Sequence, residues 1–174
     1  MCNVVSRVNK IDFFCGAFLS YIISNGVKEP ILFESSPSEN SKVINFSLRT
    51  NDYNAYLKYV STSKNSVQGG KSYTKWDIVF TEKEKNFIRN SFESLDKENI
   101  VILVCANESF RDTYFAVLNI KDAQKCLGND EVNKQSRISV KRMKGSKYVS
   151  CYGTALSDEK AIQIKYNFDE FFGF

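Results

Sequence analysis

In RISVKRMKGSKYVSCYGT, residues 137–154, Arg137, Lys141, Arg142, Lys144 and Lys147 supply five cations, and no residue supplies a negative charge. The run without a carboxylate is longer still. It begins at Val132, ends at Asp158 and takes in Lys134. Lysine and arginine at this density neutralise phosphate oxygens and release the counterions condensed on a polyanion. Tyr148 and Tyr152 are interleaved with them, and a tyrosine ring stacks on an unpaired base or packs on a sugar. Cations on a hairpin have a second use, which is to blunt an exposed edge against aggregation.

Lys144-Gly145 predicts a two-residue turn. That turn opposes Val140 with Val149 and Ile138 with Cys151, which makes those four a core face. The other face then presents Arg137 beside Tyr152, Ser139 beside Ser150 and Lys141 beside Tyr148. Arg142 and Lys147 meet at the tip, a like-charge contact that a bound anion would relieve. A two-stranded ribbon of this kind is thin enough to enter a major groove. Arg49 and Lys58, on a strand pair further back, extend the same track, and Lys71 and Lys75 add to it.

Other chemistries have little to work with. The chain contains no histidine, which removes Ser-His-Asp and Cys-His catalysis. Cys2, Cys15, Cys105, Cys126 and Cys151 are scattered with no C-x-x-C pair, so no metal site is expected and no cofactor is called for. An odd number of thiols, with Cys15 and Cys105 in apolar runs, predicts reduced cysteines and a cytoplasmic protein. Gly69-Gly70 lacks the trailing Lys-Ser/Thr of a phosphate-binding loop. Trp76 and Cys105 are expected in the core.

These residues need a scaffold. A chain of 174 residues, 43% hydrophobic and 25% charged with a net charge of +4, predicts a single domain over 1–174, with a core over about 8–128 and the basic hairpin and tail over 135–174. KIDFFCGAFLSYIISNG reads as a buried helix stopped at Asn25-Gly26; its apolar stretch is too short to span a bilayer, so no membrane partner is expected. KVINFSLRT and YNAYLKYVST alternate with period two about an Asn51-Asp52 turn. Ile44, Phe46, Leu48, Ala55, Leu57 and Tyr59 share the core face, and Asn45, Ser47, Arg49, Asn54, Tyr56 and Lys58 the other. STSKNSVQGGKS reads as a polar loop and KWDIVF as a strand. Thr81 and Glu84 form a capping box for the next helix. NIVILVCA is a central strand, TYFAVLNI another, KDAQKCLG a short helix ended by Gly128, and KAIQIKYN a last strand. The fold class is α+β: a mixed, mostly antiparallel sheet flanked by two main helices, with a C-terminal hairpin and strand.

Helix, three meandering strands, helix and strand, over roughly residues 8–106, resembles the restriction-endonuclease-like core of the PD-(D/E)XK nucleases, with Lys58 of AYLKY on the third strand. The resemblance implies an acid at the start of the second strand and another two places before the lysine, together holding Mg²⁺. Here Tyr56 stands two places before Lys58, and the second strand offers Asn45, Ser47 and Arg49. Displaced acids would have to serve, with Glu34, Asp52 and Asp77 as the candidates.

The expected function is that of a cytoplasmic nucleic-acid-binding protein with a nuclease-like core that does not cleave. Its site is Arg137, Lys141, Arg142, Lys144, Lys147, Tyr148 and Tyr152, with Arg49 and Lys58. Two other readings stay open. One is a small interaction module that docks on an acidic protein, such as an inhibitor or adaptor in phage–host defence. The other is an active Mg²⁺-dependent nuclease with displaced carboxylates.

Overall fold

The structure, a computed structural model, describes residues 8–27, 32–48, 51–107, 113–128, 135–165 and 171–172. It opens with helix α1 (Lys10–Ser24) and strands β1 (Leu32–Glu34), β2 (Ser41–Leu48) and β3 (Asn51–Val60). A hairpin, β4 (Lys64–Gln68) and β5 (Lys71–Thr81), leads into α2 (Glu82–Asn90). Then come β6 (Glu98–Ala106), β7 (Thr113–Asn119), α3 (Ile120–Leu127), β8 (Gln135–Met143), β9 (Tyr148–Gly153), a 3₁₀ turn (Asp158–Lys160) and β10 (Ile162–Lys165).

The class is α+β, and the strands divide between two five-stranded sheets. Sheet A runs β1-β2-β3-β6-β7, antiparallel except where β3 and β6 lie parallel. Sheet B runs β10-β9-β8-β5-β4 and is antiparallel throughout. A parallel neighbour requires a crossover, and the β4-β5 hairpin with α2 provides it.

The central strands of sheet A are buried on both faces. Towards α1 the sheet presents Ile44, Phe46, Leu48, Tyr53, Ala55 and Leu57, against Phe14, Phe18 and Ile22 of the helix. Towards sheet B it presents Val43, Tyr56, Val101, Leu103 and Cys105, against Trp76, Ile78, Phe80, Ile138, Val140 and Cys151. The helices α2 and α3 complete this second core with Ile88, Ala123, Cys126 and Leu127. The β2/β3 register brings Leu48 opposite Asn51, so Asn51 and Asp52 belong to β3 and not to the turn expected there. The slip is an even number of residues, and the described side chains of the two strands keep their expected sides. The polar face is nevertheless interior: Asn45, Asn54, Tyr56 and Lys58 are all buried, Tyr56 and Lys58 against Phe80 of β5 and Glu84 of α2, Asn54 against Phe92 and Asn99, and Asn45 against Lys97.

Three further expectations change. Helix α1 lies on the surface: one side is buried, while Phe13 and Ile23 on the other are more than half exposed. The polar segment 64–72 is a β-hairpin, with Gly69 at φ 57° and Gly70 at φ 76°, the doubly positive backbone of a tight two-residue turn. The β8/β9 register is two residues away from the expected one, pairing Val140 with Cys151 and Arg142 with Val149. Gly145 has φ 79°, the Lys144 N–H donates to Ser72 O at 2.9 Å on β5, and the strands end at Met143 and begin again at Tyr148, so the connection opens to residues 144–147. No helix among the described residues is long and apolar enough to cross a membrane.

At Gly153 the backbone of β9 passes so close to the carbonyls of Arg137 and Cys126 that a Cβ would collide with both. Gly16, on the outer side of α1, has open space around it. Gly153→Ala is expected to lower unfolding free energy by about 1–3 kcal/mol. Gly16→Ala is expected to raise it by about 0.5–1 kcal/mol. Urea denaturation of the two variants beside the parent chain checks both.

Candidate nucleic-acid interface

Lys58 points between the sheets and is only 7% exposed. Its ammonium is ion-paired with Glu84, whose carboxylate is fully buried. On Oε1, Glu84 also accepts hydrogen bonds from Tyr56 Oη at 2.9 Å and Ser38 Oγ at 2.7 Å. On Oε2 it accepts from the Thr81 backbone N–H at 2.8 Å and from Thr81 Oγ1 at 3.0 Å. Burial alone would raise this carboxyl; the bonds from Lys58, the Thr81 N–H and Ser38 overturn that and hold it below its ordinary value. Tyr56 moves the other way, raised by burial and then by the neighbouring Glu84 charge. The Phe80 ring lies 5.1 Å from the Lys58 ammonium.

This centre was only partly visible in the sequence, where Glu84 reads as a helix cap. The cap is present, with Glu84 N–H donating to Thr81 Oγ1, and the same side chain also serves Lys58. The acids proposed to accompany Lys58 are elsewhere. Glu34 is on β1, two strands away, beside Asn45. Asp52 lies six residues back along β3, about 20 Å, and accepts from Ser47. Asp77 is on the outer face of sheet B. The residues around Lys58 do not fit a Mg²⁺ site: among the described residues Glu84 is its one carboxylate partner, both Glu84 oxygens are engaged, and a hard cation needs several anionic oxygens. An open groove lined in part by Ser36, Lys83, Asn86, Phe87 and Asn90 adjoins this centre through the Ser36–Ser41 hydroxyl pair.

The basic residues gather on sheet B. Residues 64–80 and 135–165 together hold ten lysines and arginines and three carboxylates, a balance of +7 in a chain whose total is +4. They do not form a free ribbon, because β8 pairs with β5 on one side and β9 with β10 on the other. Lys64, Lys75 and Lys141 stand in one row across β4, β5 and β8 on the outer face. Asp77 pairs with Lys75 at 2.9 Å and Lys64 at 3.4 Å and accepts from Ser139 Oγ at 2.6 Å. Burial would raise Asp77, and those partners bring it below the ordinary range. Burial would lower Lys75, and Asp77 and Tyr152 raise it instead.

Lys141 is therefore not a surface grip. It is 7% exposed and donates to Gln68 Oε1 at 2.6 Å and to Asp158 Oδ2 at 2.5 Å. Arg142 is turned to the inner side, its guanidinium 4.9 Å from the centroid of the Tyr114 ring and bonded to its hydroxyl. The expected clash with Lys147 does not arise. Tyr152 sits beside Ser139, under the Lys75 ammonium.

Lys144, Lys147 and Tyr148 remain outward at one end of the sheet. The β4-β5 turn brings exposed Lys71 to the same end, and register pairs Tyr148 with exposed Lys165. Arg137 is exposed nearer the opposite end, opposite Val79. Among the described residues Lys71, Lys144 and Lys147 make no ion pair. Arg49 lies outside the described residues. Lys165 was legible as an outward position of IQIK, but only the β9/β10 pairing reveals its neighbour.

None of the protein-family models, curated proteins or solved structures compared with this chain matches it.

Removing one partner of a buried ion pair leaves an uncompensated charge, so Lys58→Met is expected to cost about 3–5 kcal/mol, and adding Glu84→Gln to recover part of that loss. Because the folded-state Glu84 carboxyl is depressed, its stabilisation is present above the unfolded value near ~4.3 and is lost as pH falls through the folded value. Urea midpoints at neutral and acid pH should therefore show the parent and Glu84→Gln converging in acid.

Proposed function

We propose that the chain is a cytoplasmic nucleic-acid-binding protein with a nuclease-like core that does not cleave. It grips phosphates at the end of sheet B formed by Lys71, Lys144, Lys147 and Lys165. The observation that carries this reading is the segregation of charge: +7 on sheet B and its turns leaves −3 for the remainder of the chain, from a total of +4. Lys71, Lys144 and Lys147 stand exposed with no carboxylate partner among the described residues, and phosphate is the anion that such a cluster neutralises best.

Support for the core reading comes from sheet A. It keeps the helix, three-strand meander, helix and strand order, with β6 parallel to β3, while the lysine of that meander is committed to Glu84. Supporting the compartment, Cys15, Cys105, Cys126 and Cys151 are all unpaired thiols. Burial raises Cys15 to about 11 and Cys126 to about 12, values that keep them protonated and unreactive.

Fluorescence polarisation with labelled oligonucleotides tests the proposal. Binding should weaken steeply with salt, and Lys144→Glu with Lys147→Glu should lower the slope of log K against log salt by about 0.7–0.9 for each phosphate that is no longer neutralised. A supercoiled plasmid incubated with the protein and Mg²⁺ or Mn²⁺ should stay intact. Absence of binding at low salt would defeat the proposal.

A further inference from the structure

Resting on the nucleic-acid reading, we infer that the basic end of sheet B takes unpaired, single-stranded nucleic acid, with a base stacked on Tyr148. Tyr148 is 46% exposed, and its ring has no aromatic or cationic partner among the described residues. The other two tyrosines of this face are covered by their own lysines: Lys75 lies 5.4 Å from the Tyr152 centroid and Lys141 lies 5.0 Å from that of Tyr73. One aromatic face is therefore left open, and it lies where Lys71, Lys144 and Lys147 gather.

The row containing it suits a strand of bases. Tyr73 pairs with Met143, Tyr148 pairs with Lys165, and the alternation of β8 and β9 brings Met143 and Tyr148 to the same outer face at the loop mouth. With Tyr73 covered by Lys141, the open platform is the Tyr148 ring with Met143 on the same face, ending in the Lys165 cation, and Lys144 and Lys147 stand on the loop between β8 and β9. Stacking on such a platform needs a base whose face is free.

Two features disfavour a duplex. Sheet B has five strands and so four spacings of ~4.8 Å, a width of about 19 Å between its edge strands, against a major groove of about 12 Å. The outer face is also closed across its middle. Gln68, on the β4 edge, and Asp158, in the turn that connects β9 to β10, both accept from the Lys141 ammonium, so side chains cross the face there. A ligand is confined to the open end, where a single strand fits and a duplex presents only its backbone.

The test uses three probes on the whole chain: an oligothymidylate of about 12 nucleotides, an abasic chain of the same length and charge, and a duplex, whose charge density is higher. The oligothymidylate is expected to bind about tenfold tighter than the abasic chain. Tyr148→Ala should erase that difference and Tyr148→Phe should keep it, while both leave abasic binding unchanged. Equal binding of all three probes with no effect of Tyr148→Ala would overturn the inference and leave the phosphate grip standing. Failure of every probe to bind at low salt would overturn the nucleic-acid reading together with it.

Discussion

The buried Glu84 carboxylate is the point on which the architecture turns. A charge with no exposure is tolerable only if every lone pair is met and a counter-charge is close. Glu84 meets this demand by drawing on three separate pieces of chain: Tyr56 and Lys58 from β3, Ser38 from the segment before β2, and Thr81 from the end of β5. The first two belong to sheet A and its approach, the third to sheet B. Packing of apolar faces brings two sheets together over a range of positions, whereas five donors converging on two oxygens allow very few. The junction between the sheets is fixed by that geometry, and the aromatic contacts of Tyr56 with Phe80, Phe87 and Phe92 fill in around it.

This arrangement separates core from surface. The lysine that the resemblance singles out as catalytic is committed to holding the sheets together. The proposed binding surface lies at the far end of sheet B. There the loops 69–70 and 144–147 meet, and among the described residues Lys71, Lys144 and Lys147 make no ion pair. At the centre of the outer face Asp77 is ion-paired with Lys64 and Lys75, and Asp158 with Lys141, so those lysines are neutralised within the fold.

Much of the fold was legible because strand faces depend only on parity. The β2/β3 and β8/β9 registers both differ from the expected ones by even steps, so residues expected on one side of a strand pair still share a side, although both sides of β2/β3 prove to be buried. The number of sheets was not legible, since alternation says that a strand has a buried face and not which layer buries it. Strand β4 was missed because all five of its residues are exposed and carry no apolar alternation; the Gly69-Gly70 turn was its one signal. At the site, Lys144, Lys147 and Tyr148 could be placed from local pattern. The fates of Lys58 and Lys141 could not, because their partners are 26 and 17 residues away, on elements whose docking no local rule specifies.

The most direct measurement follows backbone amide shifts by NMR while oligothymidylate is added. The account expects perturbations at 69–72, 143–148 and Lys165, with the amides of Ser38, Lys58 and Glu84 unmoved. Shifts centred on Ser36, Lys58, Glu84 and Asn86, with the end of sheet B silent, would contradict it.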